Sequence, residues 1–136
     1  MNENLGRYRE LIEVFNARDR DAFIARTRDD CEYIALMAGL EGGTYRGHTG
    51  LREWFADVDS SVRDVEIEIL SADETLDGRG VLADGHGRAI GRASGAPVEW
   101  DFAQAVVFED GLVVWAISSP TREEAVEALH EYREER

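Results

Sequence analysis

The sequence reads as an α+β chain, with helices laid over a curved sheet and a cavity between the two layers. Three observations predict this. Two short helical patterns open the chain. The stretch Tyr45-Arg46-Gly47-His48-Thr49-Gly50-Leu51-Arg52-Glu53-Trp54-Phe55 is a glycine-hinged turn running into an amphipathic helix. Several strand patterns follow it. Leu51, Trp54, Phe55 and Val58 recur at helical spacing, which turns two bulky aromatics toward the core.

Residues 5–17 carry one apolar stripe of Leu5, Tyr8, Leu11, Ile12 and Phe15, and Asn16-Ala17-Arg18-Asp19 breaks it. Asp19 is placed to cap a second short helix from about Asp21 to Thr27, with Ala22, Phe23 and Ala25 inward. Asp29-Asp30 closes the helical pattern, and residues 31–36 read as a strand with Cys31, Tyr33 and Ala35 on one face. The Gly39–Gly50 stretch reads as a loop of the kind that rims a cavity, and the third helix covers roughly 49–59.

Strand patterns then dominate. One runs from about 62 to 71, with Val65, Ile67 and Ile69 in strict alternation, and Asp77-Gly78 is a tight-turn signal. A strand over about 80–92 ends at Ser94-Gly95-Ala96-Pro97. Residues 98–108 form a long strand that is apolar on both faces: Ala103, Ala105 and Val107 on one, Phe102, Gln104, Val106 and Phe108 on the other. Asp110-Gly111 turns it into an antiparallel return over 112–119. Pro120 stops that strand, and Thr121 with Glu124 starts a last helix over 122–134. A strand apolar on both faces needs cover on both. The outer face, with Val107, Trp115 and Ile117, is therefore expected to meet a second copy in a homodimer, the alternative cover being the C-terminal helix.

The chain has 136 residues and 43% apolar content, which fits a single domain, 1–136, around one core. It contains no apolar run long enough to span a bilayer, and Met1-Asn2-Glu3-Asn4 lacks the basic flank and apolar segment of a secretory signal. The single cysteine, Cys31, reads as a buried filler. A cytoplasmic protein is expected. The formal charge is −14 and all fifteen basic residues are arginine, so phosphate backbones and anionic membranes are repelled; neither nucleic acid nor membrane is an expected partner. The acidity reads first as solubility, with high-salt adaptation or a GC-rich genome as further contributors.

No P-loop, dinucleotide fingerprint, His-Glu-x-x-His, Cys-x-x-Cys, calcium loop or Gly-x-Ser-x-Gly elbow is present. His48, His86 and His130 fall in three different kinds of element, so no metal site and no cofactor are expected.

The order of elements and a series of local motifs resemble the NTF2-like superfamily, more closely its SnoaL-like branch. The motifs are Phe15-Asn16-Ala17-Arg18-Asp19, Tyr45-Arg46-Gly47-His48 through Trp54-Phe55, Gly91-Arg92-Ala93-Ser94-Gly95 before Pro97-Val98-Glu99, Phe108-Glu109-Asp110-Gly111, and Glu123-Glu124-Ala125-Val126-Glu127-Ala128-Leu129. The resemblance covers nearly the whole chain. It implies a cone: three N-terminal helices packed on a strongly curved, mainly antiparallel sheet, with a C-terminal helix, usually as a dimer. That superfamily includes isomerases, polyketide cyclases, epoxide hydrolases, dehydratases and non-catalytic carriers, so the site decides. The isomerase base corresponds to Ala35 here, which takes no proton. The isomerase oxyanion donors, a tyrosine on the first helix and a protonated aspartate on the long strand, correspond to Leu11 and Gln104. Gln104 also stands where cyclase relatives carry an acid or base. A glutamine orients a ligand but shuttles no proton.

The residues expected to line a binding pocket are Tyr33, Trp54, Trp100 and Gln104. A buried Gln104 must find partners, whether ligand or protein. Asp101 has the opposite strand parity to Gln104, so it points away unless a bulge intervenes. The remaining acid/base candidates are His86 paired with Asp101 or Asp84, and His48 on the glycine-rich stretch. Three functions are weighed: a pocket for a hydrophobic or aromatic small molecule, which the residues favour; an isomerase, cyclase or dehydratase using His86, Asp101 or His48 in a non-standard arrangement; and a non-catalytic structural or interaction module.

Overall fold

The computed structural model describes residues 3–36 and 43–135. The element order is α1 (Glu3–Asn16), α2 (Arg20–Ala25), β1 (Thr27–Ile34), β2 (Thr44–Arg46), α3 (Gly47–Ser61), β3 (Val62–Glu74), β4 (Gly80–Gly91), β5 (Pro97–Glu109), β6 (Leu112–Ser119) and α4 (Arg122–Glu134). The strands form one six-stranded sheet in the order β2-β1-β6-β5-β4-β3, antiparallel except for the β1–β6 pair. This is the expected α+β architecture. The register shifts that leave extra residues in β1, β3 and β6 mark the irregularities at which such a sheet bends.

Local chemistry explains most boundaries. Asp19 accepts from the Ala22 amide at 3.1 Å and starts α2. Thr121 accepts from the Glu124 amide at 3.2 Å and starts α4. Asp110 and Gly111 both take positive φ, 52° and 82°, as a tight hairpin requires. Gly47 opens α3 at φ 69°, and a Cβ there would lie 2.9 Å from the Asp29 carbonyl, so only glycine fits.

Two expectations are corrected. The first strand begins at Thr27, not at residue 31, and Asp29-Asp30 lies inside it. Those residues occupy its exposed middle, where Arg28 binds Asp30 and Glu109. The Gly39–Gly50 loop is also divided. Residues 37–42 lie outside the described residues, while Thr44–Arg46 pairs with β1 as β2 and Gly47–Gly50 belongs to α3.

The two faces of the sheet are covered differently. On the inner face, α1, α2 and α3 pack over the strands through Tyr8, Leu11, Ile24, Leu51, Trp54, Phe55 and Val58. Asn16 fastens the end of α1 to β3, donating to the Ile67 carbonyl and accepting from its amide, each at 2.9 Å. On the outer face, α4 lays Ala125 and Leu129 over Ala103, Ala105, Val107, Val114 and Trp115. Trp115 stacks on Tyr132 with centroids 4.6 Å apart. Val107 and Trp115 are thus sealed within one chain, at 5% and 3% exposure, so the surface expected to meet a second copy is covered by the C-terminal helix instead. Ile117 remains partly exposed on that face, beside its cross-strand neighbour Ile34. Among the described residues no helix is long and apolar enough to cross a membrane.

Candidate functional site

Between the helices and the inner face lies a cavity of about 130 Å³. That is close to the roughly 150 Å³ at which an apolar protein cavity takes up a benzene molecule. Alternation along β5 puts Trp100, Phe102, Gln104 and Val106 on the cavity wall. α1 supplies Tyr8, Leu11, Ile12 and Phe15; α3 supplies Leu51, Trp54 and Val58. The aromatics contact one another. Trp54 meets Tyr33 edge-on with centroids 4.8 Å apart and stacks with Phe15 at 5.9 Å. The lining runs from fully buried Tyr8 to exposed Ser61 and half-buried Val65 and Trp100, so the cavity reaches the surface at the end of α3.

One polar chain crosses this apolar wall. Tyr8 donates to the Gln104 Oε1 atom. Gln104 Nε2 donates to Ser118 Oγ at 2.9 Å, and Ser118 Oγ shares a 2.8 Å hydrogen bond with the Tyr33 hydroxyl. Register explains the pairing, because Gln104 and Ser118 sit directly opposite on β5 and β6. Burial pushes the Tyr8 hydroxyl up, with a smaller push from Tyr33. Burial also pushes Tyr33 up to about 12, opposed by its hydrogen bond to Ser118. Both tyrosines are therefore neutral donors at physiological pH. The four side chains hold five polar hydrogens, and three hydrogen bonds use three of them. Two hydrogens are left to donate, whichever way the Gln104 amide is turned.

Charge is nearly absent from the lining. Among the described residues no arginine, lysine or histidine lines the cavity. The one carboxylate, Glu32, is held by Arg46 at 2.8 Å.

Tyr33, Trp54, Trp100 and Gln104 all line the cavity, and Gln104 joins Tyr33 through Ser118. His86 and Asp101 do meet, at 2.9 Å, but on the outer face of the sheet, with Glu99 on the other ring nitrogen at 2.7 Å. The hydrogen bonds to Asp101 and then Glu99 hold the His86 imidazole above its ordinary pKa. Asp101 follows its parity and is 84% exposed in its side chain, and Asp84, also off the cavity, is bound by Arg122 at 2.6 Å. His48 shares a 2.9 Å hydrogen bond with the Thr27 carbonyl, tying the start of α3 to β1, and does not line the cavity.

Tyr8 and Ser118 are the residues that sequence reasoning missed. The first-helix tyrosine is present three positions before Leu11, on the same helix face. A hydroxyl-bearing ring within an aliphatic stripe was the available signal, because a buried tyrosine needs a partner.

The SnoaL-like domain family model matches residues 8–116, and the chain belongs to that family. No curated protein matches at the sequence level. Solved structures share the fold. An NTF2-like protein of unknown function from Burkholderia pseudomallei is 21% identical, with 93% of this chain and 97% of that one covered at a TM-score of 0.79. TerC, co-crystallised with polyporic acid, is 22% identical, with 96% and 97% covered at 0.77. A putative polyketide cyclase from Xanthomonas campestris is 16% identical, with 90% and 93% covered at 0.75.

Proposed function

We propose that this chain binds a neutral hydrophobic or aromatic small molecule whose polar group is a hydrogen-bond acceptor. The observation that carries the reading is the Tyr8–Gln104–Ser118–Tyr33 chain in an otherwise apolar cavity, with two hydrogens unspent. Unpaired donors are costly away from water, and a ligand carbonyl or ether oxygen satisfies them. With no cation among the described lining residues, an anionic ligand would lose its hydration without a counter-charge. TerC, a protein of the same fold, was co-crystallised with polyporic acid, which is consistent with a small-molecule occupant.

The geometry lends little support to catalysis through the acid/base candidates. His86 and Asp101 are on the opposite face of the sheet, and His48 is engaged with a backbone carbonyl. A general base must come within about 2.6–3.2 Å of its proton, directly or through one water. The same reading retains pairing of two copies through the outer face, now through the half-exposed Ile34 and Ile117 rather than Val107 or Trp115.

Titration with 4-acetylbiphenyl, 4-isopropylbiphenyl and biphenyl-4-carboxylate, followed by calorimetry, tests the proposal. The ketone is expected to bind about tenfold more tightly than either analogue, the free-energy equivalent of one net hydrogen bond. Gln104→Leu is expected to erase the preference. Failure of all three to bind the wild-type chain would defeat the reading.

A further inference from the structure

Two inward-facing rings of β5 are seated on glycines of β4. In register, Gly85 faces Phe102 and Gly87 faces Trp100. A Cβ on Gly87 would stand 2.3 Å from Trp100 Cζ2, 2.4 Å from Cε2 and 2.9 Å from Nε1. Carbon atoms in contact keep about 3.5–4.0 Å apart, so the indole occupies the volume that any other residue would need. At Gly85 the Cβ would lie 2.4 Å from Phe102 Cζ and also 2.9 Å from the Glu68 carbonyl, a backbone atom that cannot swing aside. At Gly87 the three nearest atoms all belong to the indole, which makes that position the cleaner probe of ring placement.

Glycine weakens the interior of a strand, and two of them two residues apart on one face mark a close approach. Here the approach is that of two cavity-lining rings seated over the β4 backbone. Trp100 stands at the surface end of the lining, so the depth at which its indole lies fixes the opening there. Lifting the ring off β4 moves it toward the helices, across the mouth.

We infer that Gly87, through the seat it gives Trp100, is a size-determining position: it keeps the mouth wide enough for a ligand of more than one ring. The inference rests on the small-molecule reading above. A one-ring ligand fits below Trp100, near Gln104, while a second ring must pass the indole.

The test compares the wild-type chain, Gly87→Ala and Gly87→Ala/Trp100→Ala in calorimetric titrations with acetophenone and 4-acetylbiphenyl, with a thermal melt of each protein. Wild type is expected to bind both ketones. Gly87→Ala is expected to lose about tenfold or more in affinity for the two-ring ketone, the scale on which a pocket discriminates by a methylene, with its one-ring affinity little changed. Removing the indole as well is expected to restore two-ring binding. Unchanged two-ring binding by Gly87→Ala overturns the inference, as does a double variant that folds and fails to recover. Should Gly87→Ala not fold, Trp100→Ala and the double variant decide: equal two-ring affinity supports action through the indole, and unequal affinity overturns it. Wild type binding neither ketone defeats the small-molecule reading, and this inference with it.

Discussion

The Tyr8 hydroxyl donates to the Gln104 carboxamide across 96 residues of chain, joining the first helix to the long strand β5. Tyr8 is fully buried, so Tyr8→Phe removes the donor with little change of shape and leaves the carboxamide one partner short. A loss of about 1–3 kcal/mol is expected in urea unfolding. Adding Gln104→Leu to Tyr8→Phe is expected to cost less than the sum of the single changes. Full additivity would show that the two groups are energetically independent.

The ionisation of Tyr33 sets a second expectation. Burial raises its pKa from 10.0 to about 12, so the folded chain favours the neutral phenol. That contribution to stability is fully present below the unfolded value and is lost as pH rises through the folded one. Stability is therefore expected to fall between pH 10 and 12. The Ser118 hydrogen bond lowers the Tyr33 pKa, so Ser118→Ala is expected to move phenolate absorbance to still higher pH. A downward move would contradict the assigned cause.

The His86 imidazole sets a third expectation. The Asp101 and Glu99 hydrogen bonds hold its folded pKa above the ordinary 6.5, so its stabilising contribution is full below that value and fades as pH rises through the folded pKa. Asp101→Asn is expected to lower the pKa of His86 in an NMR titration. Ligand affinity is expected not to follow, because the pair lies on the face away from the cavity.

On the outer face, Tyr132→Ala removes the ring stacked on Trp115. About 0.5–1.5 kcal/mol beyond the lost burial is expected for such a pair, together with a red shift of tryptophan emission. An unchanged spectrum would show that Trp115 is screened by something other than α4.

The fold was legible where boundaries rest on local chemistry. Thr121 and Pro120 mark the start of α4, and Asp110-Gly111 marks its hairpin, because a cap or a positive φ needs particular residues. The start of β1 was hidden, since Asp29-Asp30 resembles a helix stop until Arg28 is seen to pair with Asp30 from the same strand. Gln104 was legible as a polar residue on an apolar strand face. Its partners were not, because Tyr8 and Ser118 come close only through tertiary packing. The outer face misled for a related reason: an apolar strand face announces that it will be covered, but not by what.

The polar chain across the cavity also bears on how the protein matures. Its members stand at positions 8, 33, 104 and 118, so no early portion of the chain contains the site. Domains emerging from the ribosome fold as units, and contacts of such long sequence separation close late. Until β6 has joined the sheet between β1 and β5, Gln104 has no Ser118 to donate to and Tyr33 stands alone. A nascent chain is therefore empty-handed until β6 has been made and has taken its place in the sheet, and a small molecule meets a recognition site only once this fold has closed.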